Sequence, residues 1–365
     1  MVKQMSSIWG KNIKISIFGE SHSKAVGVTI EGLIPGVEID LDAVKHQLFR
    51  RSSWNEELST LRKEIDDFEI ISGFFNNKTT GTPLCAIFNN KNINSEVYKE
   101  NSYKPRPGTA DYSVGIRYNY CNDFRGGGHN SARLTVGLVF AGNICYQVLK
   151  CRFKDVIIGA HVYKLYNKTS KPFNKCNINR RLLHKLSMEY FPVIDDKYKQ
   201  EYIKIIHQFK KSGNSIGGEI EVAITGLPAG IGSPIFENFE SKVSSLLFAI
   251  PAVKSVDFGL GITEMDGAMA NDEFFYDEDL KVTTKTNNHC GILGGVTSGA
   301  PIIFKVGFKP IASIFKPQNT VNLRTKKNTT ITIKGRHDVS PVIRAAPIVE
   351  GVAAIAILDM LMDLH

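Results

Sequence analysis

One pattern occurs twice in this chain and restricts what it can fold into. An alternating run over Val26–Leu33 leads through Gly32-Leu33-Ile34-Pro35-Gly36 into a helical pattern, and Gly218–Leu227 leads through Gly226-Leu227-Pro228-Ala229-Gly230 into another. Alternation marks a half-buried strand, and a Gly/Pro turn before spaced apolar residues marks a helix start. After the first turn Asp40 is suited to cap a helix whose Leu41, Val44, Leu48 and Phe49 share a face. Two β-turn-α units of one form point to an internal duplication, with repeat units near residues 13–50 and 218–250, although a five-residue echo can also arise by chance. Ile13–Phe18, Phe68–Ser72, Leu84–Phe88, Ile302–Val306 and Thr330–Ile333 read as further strands. Ala132–Leu149, a segment ending near Lys211 and one ending near Leu364 read as helices. These elements intermix without regular β-α-β alternation, so the fold class is α+β rather than a doubly wound sheet. Residues 1–365 are expected to form one domain, with the Lys- and Asn-rich 164–204 segment as a peripheral insert.

The longest apolar stretches, Val136–Val148 and Ile348–Met362, are broken by Asn143, Glu350 and Asp359. They fall short of a membrane span and read as core helices. Met1–Asn12 has neither a signal-peptide core nor an Arg-rich amphipathic pattern, so the expectation is a cytoplasmic enzyme that touches no membrane. The cysteines at 85, 121, 145, 151, 176 and 290 show no C-x-x-C spacing and no paired histidines. Buried free thiols are expected, with no disulfide framework and no metal site. A net charge of +9 would suit nucleic acid, an anionic surface or a small anion. Lysines are spread over polar stretches such as Lys164–Lys175, whereas Arg51, Arg106, Arg125, Arg133 and Arg336 stand singly near Gly, Pro or His. A guanidinium fork matches carboxylate and phosphate, and isolated forks in glycine-rich settings suit a pocket for a polyanionic small molecule. A nucleic-acid binder would need basic stripes interleaved with aromatics, or a helix carrying several Arg, and neither is present.

Four stretches carry groups capable of chemistry. Gly19-Glu20-Ser21-His22 ends a strand, and His22 is either a general acid or a solvent-facing turn residue. Asn89–Asn130 is nearly patternless and ends in Arg125-Gly126-Gly127-Gly128-His129-Asn130-Ser131-Ala132-Arg133. Three glycines admit a ligand close to the backbone, and Ser131 can cap the helix whose positive end follows. That block reads better as an anion site than as a flexible connector. Gly335-Arg336-His337-Asp338 can bind an anion and relay a proton, or be a surface turn with a local salt bridge. Phe308-Lys309-Pro310-Ile311-Ala312-Ser313-Ile314, with Gly294-Gly295 before it, reads as a strand running into an extended loop.

Together with Arg50-Arg51, Thr60-Leu61-Arg62-Lys63-Glu64, Arg106–Asp111 and Asn287–Gly295, these blocks follow the order and spacing of the chorismate synthases, which the chain resembles over nearly its whole length. The resemblance implies a sandwich of helices between antiparallel sheets, assembled as a homotetramer. It implies a lyase that uses reduced FMN to eliminate phosphate from 5-enolpyruvylshikimate 3-phosphate, with NADPH or an external flavin reductase supplying electrons. By resemblance, His129, Asn130, Ser131, Ala252, Gly294, Lys309, Pro310, Ile311, Ala312, Ser313 and Arg336 would hold the flavin. Arg51, Arg106, Arg133 and Arg336 would hold the substrate, His22 would protonate departing phosphate, and Asp338 with Ser21 would handle the ring proton. The chain departs from the family pattern at Thr109, where a histidine is usual, at Glu57, where an Arg often stands, at Ser23, at His129-Asn130 and at Cys290. A flavoprotein that keeps the fold and has lost the elimination is the rival enzyme reading.

Overall fold

A computed structural model describes residues 7–53, 58, 66–91, 103–333, 335 and 337–363. Strands β1 (Ile8–Trp9), β2 (Lys14–Gly19), β3 (Ala25–Glu31), β4 (Glu69–Ser72) and β5 (Leu84–Asn89) form one antiparallel sheet in the order β1-β2-β3-β5-β4. Strands β6 (Ile157–Leu165), β7 (Lys168–Thr169), β8 (Gly218–Thr225), β9 (Val253–Phe258) and β10 (Ile302–Phe308) form a second, ordered β9-β10-β8-β6-β7. The two strands that open the repeated sequence pattern, β3 and β8, each hold the middle place of a five-stranded sheet. Each leads into a capped helix. Asp40 accepts from the N–H groups of Asp42 and Ala43 at the start of α1 (Leu41–Arg51). Asn238 accepts from Ser241 N–H at the start of the helix Phe239–Leu247. Each repeated turn thus lies between the central strand of a sheet and a capped helix.

Two long helices, α2 (Thr135–Arg152) and α3 (Ala346–Leu361), pack on each other between the sheets. The first leans on β2 and β3 and on α1; the second leans on β6 and β8 and on Phe239–Leu247. Such a position leaves no solvent face, and every residue from Ala346 to Leu361 is buried. The layering is sheet, helices, sheet, as the α+β expectation held. Ala132–Arg152 does reach the length and apolar character of a membrane span, contrary to expectation, but 78% of its apolar window is buried inside the protein.

Three sequence expectations need adjusting. Phe49 does not complete the buried face of α1: Val44 and Leu48 are buried, while Phe49 is 44% exposed beside the Tyr190 ring. The 164–204 segment has an exposed polar shell, yet Leu183, Leu186, Phe191 and Tyr202 are buried within it. Its helices Arg180–Met188 and Asp196–Lys211 are thereby pinned to the body of the protein. All six cysteines are free, but only Cys145 and Cys290 are buried.

Candidate active site

At the end of β2 the chain turns through Ser21 and His22, and the glycine triplet lies directly on that turn. Ser21 N–H donates to Gly128 O at 3.1 Å, and His22 Nδ1 lies 3.1 Å from Ser21 Oγ. A Cβ on Gly126 would stand 2.3 Å from His22 Cε1, and one on Gly128 would stand 2.1 Å from Asp123 O. The three glycines have φ of +59°, +92° and +54°, so space and backbone both demand glycine. Gly127 differs: its Cβ would meet only Ser131 Cβ, at 3.9 Å, so its face is open. His129 is committed inside the protein, with Nδ1 at 2.7 Å from Gly19 O and Nε2 at 2.8 Å from Ser7 Oγ. Asn130 is exposed. Ser131 Oγ accepts from Arg133 N–H at 3.3 Å, opening the turn Ala132–Leu134 that feeds α2.

The adjacent arginines at the end of α1 point to different places. Arg50 is buried in the core, ion-paired with Glu350 and donating to Glu189 O at 2.8 Å. Arg51 faces the site instead. Its Nε and Nη2 donate to Asp66 Oδ2 at 3.1 and 2.8 Å, and Nη1 donates to Thr135 Oγ1 at 3.2 Å. Arg133 pairs with the other oxygen of Asp66 and donates from Nε to Asn90 Oδ1 at 3.0 Å. Burial alone would raise the pKa of Asp66, but the charges and hydrogen bonds of Arg51 and Arg133 prevail and hold it below the ordinary carboxylate range. Arg344 donates to Arg51 O at 3.2 Å and pairs with Asp338. The cluster therefore joins α1, the start of α2 and the approach to α3. Both central helices begin beside it, and helix N-termini favour anions.

A second group lies around Arg106. Its guanidinium forks Asp111 with two contacts of 2.7 Å. Burial pushes the Asp111 carboxyl up, and the Arg106 hydrogen bonds and charge bring it below its usual range. Thr109 Oγ1 donates to Arg106 O at 2.9 Å, so its hydroxyl closes the turn. The loop sits against the segment after β10: the Lys309 ammonium donates to Gly108 O, and a Cβ on Gly108 would lie 3.1 Å from Ala312 Cβ. Lys309 N–H donates to Ala252 O at 2.9 Å, and Ile311 O accepts from Ser215 Oγ at 2.6 Å. Pro310 lies over Gly217, and Ser313 is partly exposed. His337 ties the two groups together. Burial and then the Arg106 charge hold its imidazole below the ordinary histidine range, and Asp338 follows it in sequence. The imidazole is thus neutral at neutral pH.

Most of the residues singled out in the sequence therefore fall into two groups, linked through His337, which feels both Arg106 and Asp338. Gly294 stands apart. It has an open face in the hairpin Ile292–Leu293/Val296–Thr297, and its neighbour Gly295 accepts from Phe239 N–H at 2.9 Å. Arg336, Glu57 and Thr60–Glu64 lie outside the described residues. Sequence reasoning missed Asp66, Arg344 and Thr135 as members of the cluster. Asp111 stood in a quoted block without a role. Nothing local marks Asp66 or Arg344 as members, because the contacts that join them to the cluster, Asp66 to Arg133 and Arg344 to Arg51 O, span 67 and 293 residues.

Comparison with known proteins agrees with this architecture. The family model described as chorismate synthase matches residues 13–362. A chorismate synthase of Thermococcus kodakarensis is 41% identical over 355 residues, covering 97% of each chain, and one of Methanocaldococcus jannaschii is 36% identical over 375 residues, covering 99% of this chain and 97% of the relative. A crystal structure of a chorismate synthase superposes with a TM-score of 0.75 at 24% identity, over 97% of this chain and 93% of the other, which supports the fold. The chain belongs to the chorismate synthase family and is a carbon–oxygen lyase.

Proposed function

We propose that this protein converts 5-enolpyruvylshikimate 3-phosphate to chorismate by 1,4-elimination of phosphate, with reduced FMN and no net redox change. The observation that carries the reading is the meeting of Ser21 and His22, the glycine triplet and the Arg51–Asp66–Arg133 cluster at the starts of two helices. The residues present suit a flavin: Gly127 has an open face, Lys309 offers a cation at the Arg106 loop, and Ser131 offers a hydroxyl at the turn that feeds α2. His129, with both ring nitrogens engaged, contributes its backbone rather than its ring. When bound, reduced FMN supplies the electron density that an elimination from an unactivated carbon needs, and recovers it afterwards.

The protein's own groups do the rest. Arg51, Arg133 and Arg106 neutralise phosphate and carboxylates and fix the ring in place. His22 donates a proton to the departing phosphate oxygen, held in orientation by Ser21. Asp338, placed by Arg344, receives the ring proton. Thr109 cannot titrate near neutral pH, so this position supplies no proton, and His337 is a neutral imidazole that feels the Arg106 charge. Assembly as a homotetramer, a cytoplasmic setting and NADPH or a separate reductase as electron source complete the proposal. Assembly is supported by exposed apolar side chains at Phe236, Phe274, Tyr276, Leu280 and Val282.

Anaerobic phosphate release should occur with dithionite-reduced FMN, and not with oxidised FMN or without flavin, with chorismate formed in step. His22→Asn should lower turnover by about 10²–10⁴-fold, the usual worth of a positioned acid. Tight flavin binding with no phosphate release would leave the rival reading, a flavoprotein that has lost the elimination.

A further inference from the structure

The arginine cluster contains a carboxylate that no substrate role accounts for. Asp66 is 7% exposed, its side chain is nearly sealed, and it gives one oxygen to Arg51 and the other to Arg133. Two guanidiniums held by the two oxygens of one carboxylate must lie side by side, where their charges repel. Arg344 adds a third cation behind them, through the Arg51 carbonyl. The repulsion is felt at Arg51, whose pKa is lowered by burial first, with Arg133 and Arg344 adding to the effect against the pull of Asp66. Each fork is also only partly spent. Arg51 and Arg133 each commit one N–H from Nε, Nη1 and Nη2 to protein partners. Among the described residues, each therefore keeps the second N–H of Nη1 and of Nη2. Their side chains are 9% and 10% exposed, so these remaining donors are in a nearly dry setting, where a hydrogen bond to an anion is strong.

From this arrangement we infer that Asp66 is a positioning residue: it fixes Arg51 and Arg133 as one prearranged pair for a phosphate or carboxylate. The alternative is a placeholder that fills the anion site and must be displaced. The two differ in sign. If Asp66 positions the pair, Asp66→Asn loosens both forks and weakens anion binding, although it makes the cluster more positive. If Asp66 competes for the site, the same change strengthens anion binding. Side-chain charge alone also favours strengthening, so weaker binding cannot come from a simple change of net charge.

This inference deepens the proposed function and rests on it for the identity of the organic substrate, but inorganic phosphate tests it independently. We would titrate the full-length flavin-bound protein with inorganic phosphate in a calorimeter, comparing wild type, Asp66→Asn and Asp66→Glu at matched ionic strength. Thermal midpoint and flavin affinity would be measured on the same samples. The expected result is phosphate Kd raised about tenfold in Asp66→Asn and partly restored in Asp66→Glu, with flavin affinity within about twofold. The KM for 5-enolpyruvylshikimate 3-phosphate should rise in parallel, with a smaller change in kcat. A phosphate Kd that is unchanged or lower in folded Asp66→Asn overturns the inference, as does a wild type that binds no phosphate. If Asp66→Asn does not fold, Asp66→Glu and Arg133→Lys are combined in a double-mutant cycle on phosphate Kd. Additive losses then overturn the inference, and coupled losses uphold it. Phosphate binding that follows this pattern in a protein without elimination activity would sink the proposed function and leave the role of Asp66 standing.

Discussion

At the scale of single residues, the site depends on groups whose charge state is set by their neighbours. His337 is the clearest case. Its folded pKa lies below the ordinary histidine value of about 6.5, because burial and Arg106 both oppose a second cation. It is neutral at neutral pH and takes up a proton only as the pH falls below that ordinary value. Charging it would add a cation beside the Arg106–Asp111 fork and disturb the pair. We therefore expect kcat/KM to fall on the acid side, below about pH 6.5, and His337→Asn to flatten that limb while sparing the alkaline side. A rate profile from pH 5 to 9 checks this; an unchanged acid limb in the variant would assign it to another group. The histidine itself was legible, since it stands in Gly335-Arg336-His337-Asp338. Its environment was not, because Arg106 approaches from a loop far away in sequence. The same holds across the site. Ser21, His22 and the glycine triplet announce themselves by composition, whereas Asp66 and Arg344 are ordinary residues until the fold brings partners to them.

At the scale of elements, the polar residues that interrupt the last apolar run turn out to fasten it. Glu350 pairs with Arg50 and accepts from Ala160 N–H at 2.9 Å, tying α3 to α1 and to β6. Asp359 accepts from the N–H groups of Lys11, Asn12 and Ile13 at 3.0, 2.7 and 2.8 Å and pairs with Lys242 at 2.8 Å. It fixes the lead-in to β2 against the end of α3. A sequence shows such residues as breaks in a hydrophobic stretch, and that was enough to read core helices rather than membrane spans. It cannot show what they hold. The direction of the energetics is plain: removing one partner of a buried pair strands the other, at about 3–5 kcal/mol. Glu350→Ala should lower the midpoint of chemical denaturation accordingly. Replacing the pair together, as Arg50→Met with Glu350→Leu, should recover most of the loss, since apolar groups of similar size need no counter-charge. If the double variant is as unstable as the single one, the polar contacts to Glu189 O and Ala160 N–H outweigh the stranded charge.

At the scale of the whole molecule, α2 and α3 join the two sheets, and two glycines face each other where these helices pack. A Cβ on Gly142 would fall 2.2 Å from Gly351 Cα and 2.5 Å from Gly351 C, so the obstruction is backbone and cannot rotate away. On Gly351 the nearest atoms are Leu138 O at 3.2 Å and Gly142 Cα at 3.3 Å, a tight fit that a small shift relieves. Helix propensity favours alanine over glycine by about 1 kcal/mol at either place. Forcing a methyl into a closed helix contact costs roughly 1–3 kcal/mol, sometimes more. The two substitutions should thus separate. Gly142→Ala should destabilise, because the steric cost exceeds the propensity gain, while Gly351→Ala should leave stability within about 1 kcal/mol of wild type. The consequence should also reach the site. Arg51 ends α1, Thr135 starts α2 and Arg344 stands just before α3, so the Arg344 contact to Arg51 O crosses the same joint. Prising the helices apart at Gly142 should lengthen that contact and weaken phosphate binding, although Gly142 lies deep in the core away from the arginines. Denaturation midpoints and phosphate titrations on both variants check the argument. Equal effects of the two alanines would mean that the helices slide freely at their crossing, and that the joint between α2 and α3 does not hold the site together.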